Sequence, residues 1–306
     1  MASLREIKDR IGSVRSTLKI TSAMKLVASA KLRKAQKAIE GMRPYERTLA
    51  EILAAVNAAG TAVAPASLSG PGASLVPDPD RENGFAGALP LPAAPTAVVA
   101  IASNSSLCGG FNANATRLAL ETIRACEGEV EVYPVGRKIA EALKRAGYTA
   151  AADCNDLIGH PSYEKSAALA RSLAERFQAG ELGRVVLVYN RFRSASSQEP
   201  VAEDYLPFTA PAFPGESGEA PSPADYLLEP DAEALVAQLL PQVMMLKFHA
   251  AILDSAAAEQ AARTLAMQTA TDNAEDLLGE LTLEYNKGRQ QKITAEILDL
   301  LGGAAE

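Results

Sequence analysis

Apolar residues in the first part of the chain follow steps of three and four. The repeat starts at Leu4 and stays in a single unbroken heptad frame as far as Val56. Three polar residues, Thr21, Lys25 and Glu46, fall on the same frame and interrupt the apolar stripe. A stripe this narrow is typical of a helix that buries a seam against another helix. The pattern therefore predicts a coiled-coil helix that needs a partner.

Both the start and the middle of this helix carry further signals. Ser3 is a suitable N-cap, and Glu6 stands three positions later, as in a capping box. Pro44 removes one backbone hydrogen bond and should bend the helix. The heptad frame continues unshifted beyond Pro44. We therefore expect one helix from about residue 3 to about residue 59.

A second long heptad pattern occupies the C-terminal part of the chain. It starts near Pro230, continues through Leu246 and Tyr285, and ends at Gly302 and Gly303. Proline is accepted in a first helical turn, and glycine commonly follows a last one. Because the two terminal segments carry matching stripes, we expect them to pair with each other as an antiparallel coiled coil.

Between these helices the pattern changes to short strands that alternate with helices. Residues 97–102 form a continuous apolar run, which is typical of a strand buried on both faces. Further strands are expected at 130–135 and 185–190, helices at about 112–125, 137–146 and 163–179, and an antiparallel edge strand at about 199–208. This alternation predicts a Rossmann-like α/β domain with a largely parallel sheet.

The predicted fold class is thus α/β, with a long antiparallel two-helix coiled coil formed by the N- and C-terminal helices and a Rossmann-like domain between them. Repeated proline and glycine in 60–95 disfavour regular structure there. The predicted domains are an N-terminal coiled-coil helix (1–59), a Pro/Gly-rich connector (60–95), the α/β domain (96–229) and a C-terminal coiled-coil helix (230–306).

Charge is distributed unevenly along the chain. The formal net charge is -7, yet the first helix is strongly basic, and one cluster of four cations in it has few acids spaced to neutralise it. This basic cluster consists of Lys31, Arg33, Lys34 and Lys37. Such asymmetry indicates an acidic partner. Nucleic-acid binding would add aromatic side chains for stacking, and this helix has only Tyr45, so an acidic protein surface fits better.

The sequence offers no catalytic, metal or cofactor site. Its three cysteines, Cys108, Cys126 and Cys154, lack metal-like spacing and are expected to be reduced thiols. The only histidines are His160 and His249, too few for a histidine–cysteine zinc site. We interpret His249, which falls on the C-terminal helix, as a packing or surface residue.

The loop 107–112 follows a strand and opens a helix, where phosphate-binding loops lie. It lacks both G-x-G-x-x-G and G-x-x-x-x-G-K-[ST], so its glycines are better explained by close packing of the strand and the helix. No G-x-S-x-G hydrolase motif occurs. The N-terminal segment lacks the apolar core of a signal peptide, and no unbroken apolar run reaches the roughly 18 residues of a membrane span.

Four groups of motifs occur in the order found in one known family. They are Ile7–Val14 with Thr21–Ala28, Leu107–Asn112, Ala266–Ala274, and Tyr285–Gln290 with Ile293–Glu296. Through these motifs the chain resembles the gamma subunits of F-type ATP synthases over essentially its whole length, except for about 60–95.

The resemblance implies a function. A gamma subunit is the central-stalk rotor, whose coiled coil turns inside a hexamer of alternating alpha and beta subunits. Its rotation couples proton or sodium flow through the membrane ring to ATP synthesis at the beta subunits. The chain would itself be non-catalytic and would bind no cofactor and no nucleic acid. It would be peripheral at the cytoplasmic face of the bacterial inner membrane, attached only through the complex, with the epsilon subunit and the c-ring as further partners.

Motif matching also implies contact residues. Expected contacts with beta subunits are Met24, Lys25, Lys31, Arg33, Lys34, Arg289, Gln290 and Thr294. The last three of these would form a polar collar around one helical turn. The expected tip in an apolar bearing consists of Ile297, Leu298, Leu300 and Leu301. Contacts with the rotor ring or with epsilon are expected from Tyr226 and Glu229.

Two other functions stay open at the level of the sequence. One is an α/β enzyme with an RNA- or protein-binding coiled-coil arm. The other is a scaffold whose helical hairpin dimerises with a second copy. Nucleotide turnover by the isolated chain would favour the enzyme, whereas co-purification with an alpha–beta hexamer would favour the rotor.

Overall fold

A computed structural model of the chain describes residues 3–59, 94–208, 229 and 232–303. The fold contains two compact units. Unit 1 comprises Met1–Ala30 and Arg263–Glu306, and unit 2 comprises Lys31–Ala262. The predicted connector at 60–95 lies outside the described residues, apart from its last two positions.

The two terminal helices are long and continuous. Helix α1 is Leu4–Ala59, with 56 residues, and helix α6 is Ala232–Gly303, with 72 residues. The predicted capping box is confirmed, because the backbone N–H of Glu6 donates to Ser3 Oγ at 3.2 Å and that of Ser3 donates to Glu6 Oε2 at 2.9 Å. Helix α1 continues through Pro44, as its unshifted heptad frame predicts.

Within unit 1 the helices pair in opposite directions. Thr21 contacts Thr271 through a hydrogen bond, and Lys25 bonds to Gln268, which lies nearer the start of α6. Closer to the start of α1, a Cβ added at Gly288 would lie only 3.0 Å from Leu4 Cδ2. Partners that advance along α1 thus recede along α6, so the pairing is antiparallel. Every heptad position of α1 in this unit is buried or half-buried, as the stripe predicts.

Unit 2 is built on a four-stranded sheet in the order β2-β1-β3-β4. Strands β1 and β2 are parallel, β1 and β3 are parallel, and β4 is antiparallel to β3 at the edge, as predicted. The strands are β1 Thr96–Ile101, β2 Val130–Val135, β3 Arg184–Phe192 and β4 Gln198–Leu206. The helices between them are α2 Phe111–Ala125, α3 Arg137–Arg145, α4 Asp156–Gly159 and α5 Tyr163–Gln178. Of these elements, the sequence pattern did not indicate α4.

Strand β1 lies at the centre of the core. All six of its residues are buried, as the continuous apolar run predicts. Val99 and its neighbours on one face belong to a cluster with α4, α5 and parts of α1 and α6. Val98 and the other alternate residues join a second cluster with α2 and α3. The sheet is therefore covered on both faces, which is the usual environment of parallel strands.

The long helices also pack on each other inside unit 2. Leu32 and Ile39 of α1 form a buried cluster with Leu253, Ala257 and Ala261 of α6. All five residues occupy positions that recur every three or four residues on their own helix. Small alanines allow the two backbones to approach closely, so the apolar seam is thin and mainly aliphatic.

His249 is a packing residue, in agreement with the sequence interpretation. Its side chain is 8% exposed and its Nδ1 atom is hydrogen-bonded to Ser166 Oγ at 2.8 Å. The ring of Tyr163 meets it edge-on at 5.6 Å between centroids. Burial lowers the pKa of His249, so the neutral imidazole is favoured in the folded protein. This contact joins α5 to α6.

A half-buried carboxyl group lies where α1, α6 and the sheet face one another in unit 2. Burial raises the pKa of Asp254 to about 6 from its ordinary 3.8. The charges that act on it come from α1, β3, β4 and the residue after β3, namely Arg43, Arg191, Glu203 and Arg193. Burial, and next to it the charge of Asp254, also raise the pKa of Glu46. Two acids thus share one partly dry site with several guanidinium groups.

We expect Asp254→Asn to stabilise the isolated chain at pH 8. The folded-state pKa lies above the unfolded value, so ionisation of Asp254 opposes folding. The loss of stability caused by this ionisation is absent below about pH 3.8, grows between about pH 3.8 and 6, and reaches its full size above about pH 6. A difference of about two units between the folded and unfolded pKa values corresponds to at most about 3 kcal/mol in the free energy of unfolding. Urea unfolding at pH 8 and pH 4.5 measures the effect, which should shrink at the lower pH.

The exposed Asp276 supplies the matched control for this experiment. Asp276→Asn should change the free energy of unfolding little at either pH. A stabilisation by Asp254→Asn that is equal at both pH values would contradict the assigned cause.

Candidate functional site

The basic cluster is a set of cations whose side chains have no partner among the described residues. Lys31, Arg33, Lys34 and Lys37 are all exposed on α1. Within the described part of the chain, none of the four makes a hydrogen bond or an ion pair with another residue. Helix α1 elsewhere neutralises a cation internally, since Arg47 Nε lies 2.8 Å from Glu51 Oε1. The cluster therefore keeps its full capacity to bind an acidic surface.

Met24 and Lys25 lie in unit 1 and are both half-buried. The ammonium group of Lys25 donates to Gln268 Oε1 at 2.8 Å. Gln268 Nε2 in turn donates to Asp272 Oδ1 at 2.6 Å. Lys25 is thus bound within the chain, unlike the cations of the basic cluster. No sequence pattern indicated this bond, because its two partners are 243 positions apart.

Unit 1 also exposes large apolar side chains that the sequence interpretation missed. On α1 these are Ile20, Leu26 and Val27, with exposed fractions of 57–68%. On α6, Leu283 is 72% exposed. The three residues of α1 fall outside the heptad frame. An apolar residue outside the frame is the sequence signal that could have indicated their exposure. Apolar side chains grouped at a surface are typical of a contact with another protein.

The polar collar on α6 faces solvent. Arg289, Gln290 and Thr294 are all exposed. Thr294 Oγ1 donates to the backbone carbonyl of Gln290 at 2.9 Å, so the hydroxyl can only accept a bond from a partner. The side chains of Arg289 and Gln290 bond to no other residue of the described chain, and they can supply several donors.

The described part of the apolar tip is exposed as well. Ile297 and Leu298 are 51% and 62% exposed. The side chains of Leu300 and Leu301 lie outside the described residues, and so does Tyr226. Glu229 is exposed. The structure thus leaves the described members of the collar and the tip available to partners.

The loop after β1 satisfies its own polar groups. Asn112 Oδ1 accepts hydrogen bonds from the backbone N–H and the hydroxyl of Ser103, at 3.1 and 2.9 Å, and Asn112 Nδ2 donates to the Ser105 carbonyl at 3.1 Å. Gly109 has φ +57°, a conformation that glycine adopts readily. At Gly110 a Cβ would meet only the Asn114 side chain, at 3.4 Å. The close-packing explanation is therefore wrong for Gly110.

Close packing does apply to Gly136, where β2 meets α3. A Cβ there would lie 2.0 Å from the Ala102 carbonyl oxygen, and φ is +114°. Beside it, Asn104 Oδ1 accepts from the backbone N–H of Arg137 at 2.8 Å. Together with the bond from the backbone N–H of Ala102 to the Val135 carbonyl, this bond holds the carboxyl ends of β1 and β2 together.

No group of three or more His, Cys, Asp or Glu side chains is placed to hold a metal ion within the ranges described. By length and composition alone, the segment Ala234–Leu298 is apolar enough to cross a membrane. In its most apolar window 44% is buried inside the protein, as in many core helices, so this is weak evidence for a span.

Two long terminal helices that pair with each other within each unit, together with an α/β domain, define a protein of the coiled-coil class, and its exposed basic and apolar side chains favour contacts with other proteins. The sequence model of a family described as ATP synthase matches residues 3–305. The ATP synthase gamma chain of Bacteroides fragilis is 46% identical over 99% of both chains, and that of Paracoccus denitrificans is 38% identical over 99% of both. The chain belongs to the ATP synthase gamma chain family.

Solved structures agree on the fold. A chain in the rotor of the Euglena gracilis mitochondrial ATP synthase aligns with a TM-score of 0.60 at 18% identity, covering 95% of this chain and 98% of its own. A chain in the OSCP/F1/c-ring structure from the same organism aligns with a TM-score of 0.62 at 17% identity, covering 99% and 93%. At these identities the likeness concerns the fold alone.

Removing three cations of the basic cluster should not affect folding. We expect Lys31→Ala, Arg33→Ala and Lys34→Ala together to change the free energy of unfolding by less than about 0.5 kcal/mol, because these side chains have no internal partner. Arg176→Ala is the contrasting variant, because Arg176 Nη1 and Nη2 bind both carboxylate oxygens of Glu131 at 2.7 and 2.9 Å. Its loss should cost about 1–3 kcal/mol. Urea unfolding of the isolated chain compares the triple variant with Arg176→Ala. An equal loss of stability in both would contradict the conclusion that only Arg176 has an internal partner.

Proposed function

We propose that the chain is the central-stalk rotor subunit of a rotary ATP synthase. The observation that carries the proposal is the 46% identity to a named gamma chain over 99% of both sequences. The structural neighbours, which belong to a rotor and to a central stalk with a c-ring, point the same way. The paired terminal helices supply the stalk that such a role requires.

The subunit itself is non-catalytic in this proposal, and ATP forms at the beta subunits. Support comes from the loop after β1, where Asn112 and Ser103 bond to each other and to backbone groups in the position where a nucleotide site would lie. The partners are the alpha and beta subunits, the epsilon subunit and the c-ring. The subunit is held at the cytoplasmic face of the bacterial inner membrane through these partners, as a peripheral component.

The contacts follow the surfaces described above. Met24, Lys25, Lys31, Arg33 and Lys34 face the acidic lever segment of beta. The collar of Arg289, Gln290 and Thr294 meets beta loops, and the tip sits in an apolar bearing. Tyr226 and Glu229 reach the rotor ring or epsilon. Proton or sodium flow turns the ring and, with it, the stalk.

Rotation couples to synthesis through differential contact energy. The helices expose both cations and large apolar residues, so their surface is chemically uneven. Each beta subunit therefore meets a different surface as the stalk turns. A contact that favours one beta conformation over another shifts its population, and the free energy available equals the difference between those contacts.

The α/β enzyme with an RNA- or protein-binding arm was the alternative. The family match and the named relatives support the rotor and give this alternative no support. No observation on the described residues favours a second function.

Co-expression with the alpha, beta and epsilon subunits tests the proposal. An affinity tag on beta should recover this chain at one copy per hexamer, and the isolated chain should turn over no ATP. ATP hydrolysis that persists in the purified, isolated chain, or failure of the chain to join the hexamer, would exclude the rotor.

Within the assembled complex, the triple variant of Lys31, Arg33 and Lys34 to alanine should weaken coupling. ATP-driven proton pumping in vesicles should fall relative to ATP hydrolysis, because the cations no longer meet the acidic surface of beta. Lys37→Ala is the matched single-charge control and should have a smaller effect. Unchanged coupling in the triple variant would instead indicate a merely solvated face.

A further inference from the structure

A pair of buried threonines crosses the helical seam in unit 1. Thr21 and Thr271 are 9% and 4% exposed and occupy heptad positions where apolar residues are usual. Thr271 Oγ1 donates to Thr21 Oγ1 at 3.1 Å, and Thr21 Oγ1 donates to the Leu18 carbonyl at 3.1 Å. Thr271 Oγ1 also lies 2.8 Å from the Met267 carbonyl of its own helix. Each hydroxyl therefore has a local backbone partner, and only the contact between the two hydroxyls requires the two residues to stand at the same level.

A second polar link crosses the seam about one turn away. Lys25 Nζ donates to Gln268 Oε1, and Gln268 Nε2 donates to Asp272 Oδ1. An ammonium group can only donate and a carboxylate can only accept, so the two charges fix the orientation of the amide between them. The two links therefore lie on adjacent turns of the same two helices.

Within unit 1, the apolar repeat alone is compatible with more than one register. A slip by one heptad, about 10 Å along the axis, keeps apolar residues facing apolar residues. After such a slip Thr271 would face Val14 or Ala28, depending on its direction, and would lose its cross-helix partner. Single buried polar residues at such positions select one register in coiled coils, at some cost in stability.

We propose that Thr21, Thr271, Lys25, Gln268 and Asp272 form a polar lock that sets the axial register of α1 against α6. Lys25 is then a positioning residue that acts within the chain. Resting on the proposed function, the lock also fixes the height at which neighbouring Met24 meets beta. The register itself is a property of the isolated chain and can be tested without any partner.

Spin-label distances in the full-length chain test the lock. Labels at Ser13→Cys and Glu280→Cys, both at exposed positions of unit 1, report on axial register in a background without native cysteines. The parent protein should give one narrow distance. Thr21→Val with Thr271→Val should add a second population that reflects a slip of one heptad, about 10 Å. Thr21→Ser with Thr271→Ser keeps both hydroxyls and should restore the single distance.

Lys25→Met separates the role of Lys25 in the polar lock from its expected contact with a beta subunit. If Lys25 belongs to the lock, the substitution broadens the spin-label distance distribution of the isolated chain, and the broadening persists at high salt. If the distribution stays narrow in both the double-valine and the Lys25→Met proteins, the lock is wrong. Should the double-valine protein fail to fold, Thr271→Val alone gives the same readout. Joining of the hexamer is scored separately, so a failed lock leaves the rotor proposal standing.

Discussion

The antiparallel seam between α1 and α6 is the interaction on which the rest of the structure depends. A helix of 56 residues with an apolar stripe cannot bury that stripe on its own, and in this chain the partner comes from the other end of the sequence. In unit 2 the same helices contribute Leu53 and Phe248, both fully buried, to the core on one face of the sheet. The α/β domain is thus completed by residues outside its own strands and connecting helices.

The spacing of apolar residues predicted most of this fold, because that spacing follows which positions of a helix or strand are buried. The heptad frame gave the extent of α1, and the run at 97–102 gave a strand buried on both faces, since each pattern is long and uniform. Helix α4 was missed because four residues, Asp156–Gly159, are too few for any period to appear. The need for glycine at Gly136 was equally hidden, because it arises from the Ala102 carbonyl of another strand.

The candidate contact surfaces were predictable to a different extent. The basic cluster stands out in the sequence because opposite charges are missing nearby, and the structure leaves it exposed. The heptad pattern gives no role to Leu26 and Val27, because they lie outside the buried seam. The same location outside the seam leaves both side chains exposed. The bond from Lys25 to Gln268 could not be foreseen, because the register of two distant helices decides it.

Two features show that this chain is not arranged for greatest stability. Thr21 and Thr271 put hydroxyls into an apolar seam, and Asp254 carries a charge into a partly dry site. They differ in kind, since a hydroxyl pair is insensitive to pH whereas a carboxyl group is not. Polar groups retained at a thin aliphatic seam weaken it locally but narrow the choice of alignments. For a stalk that must present fixed surfaces at fixed heights, a unique alignment matters more than the last increment of packing energy.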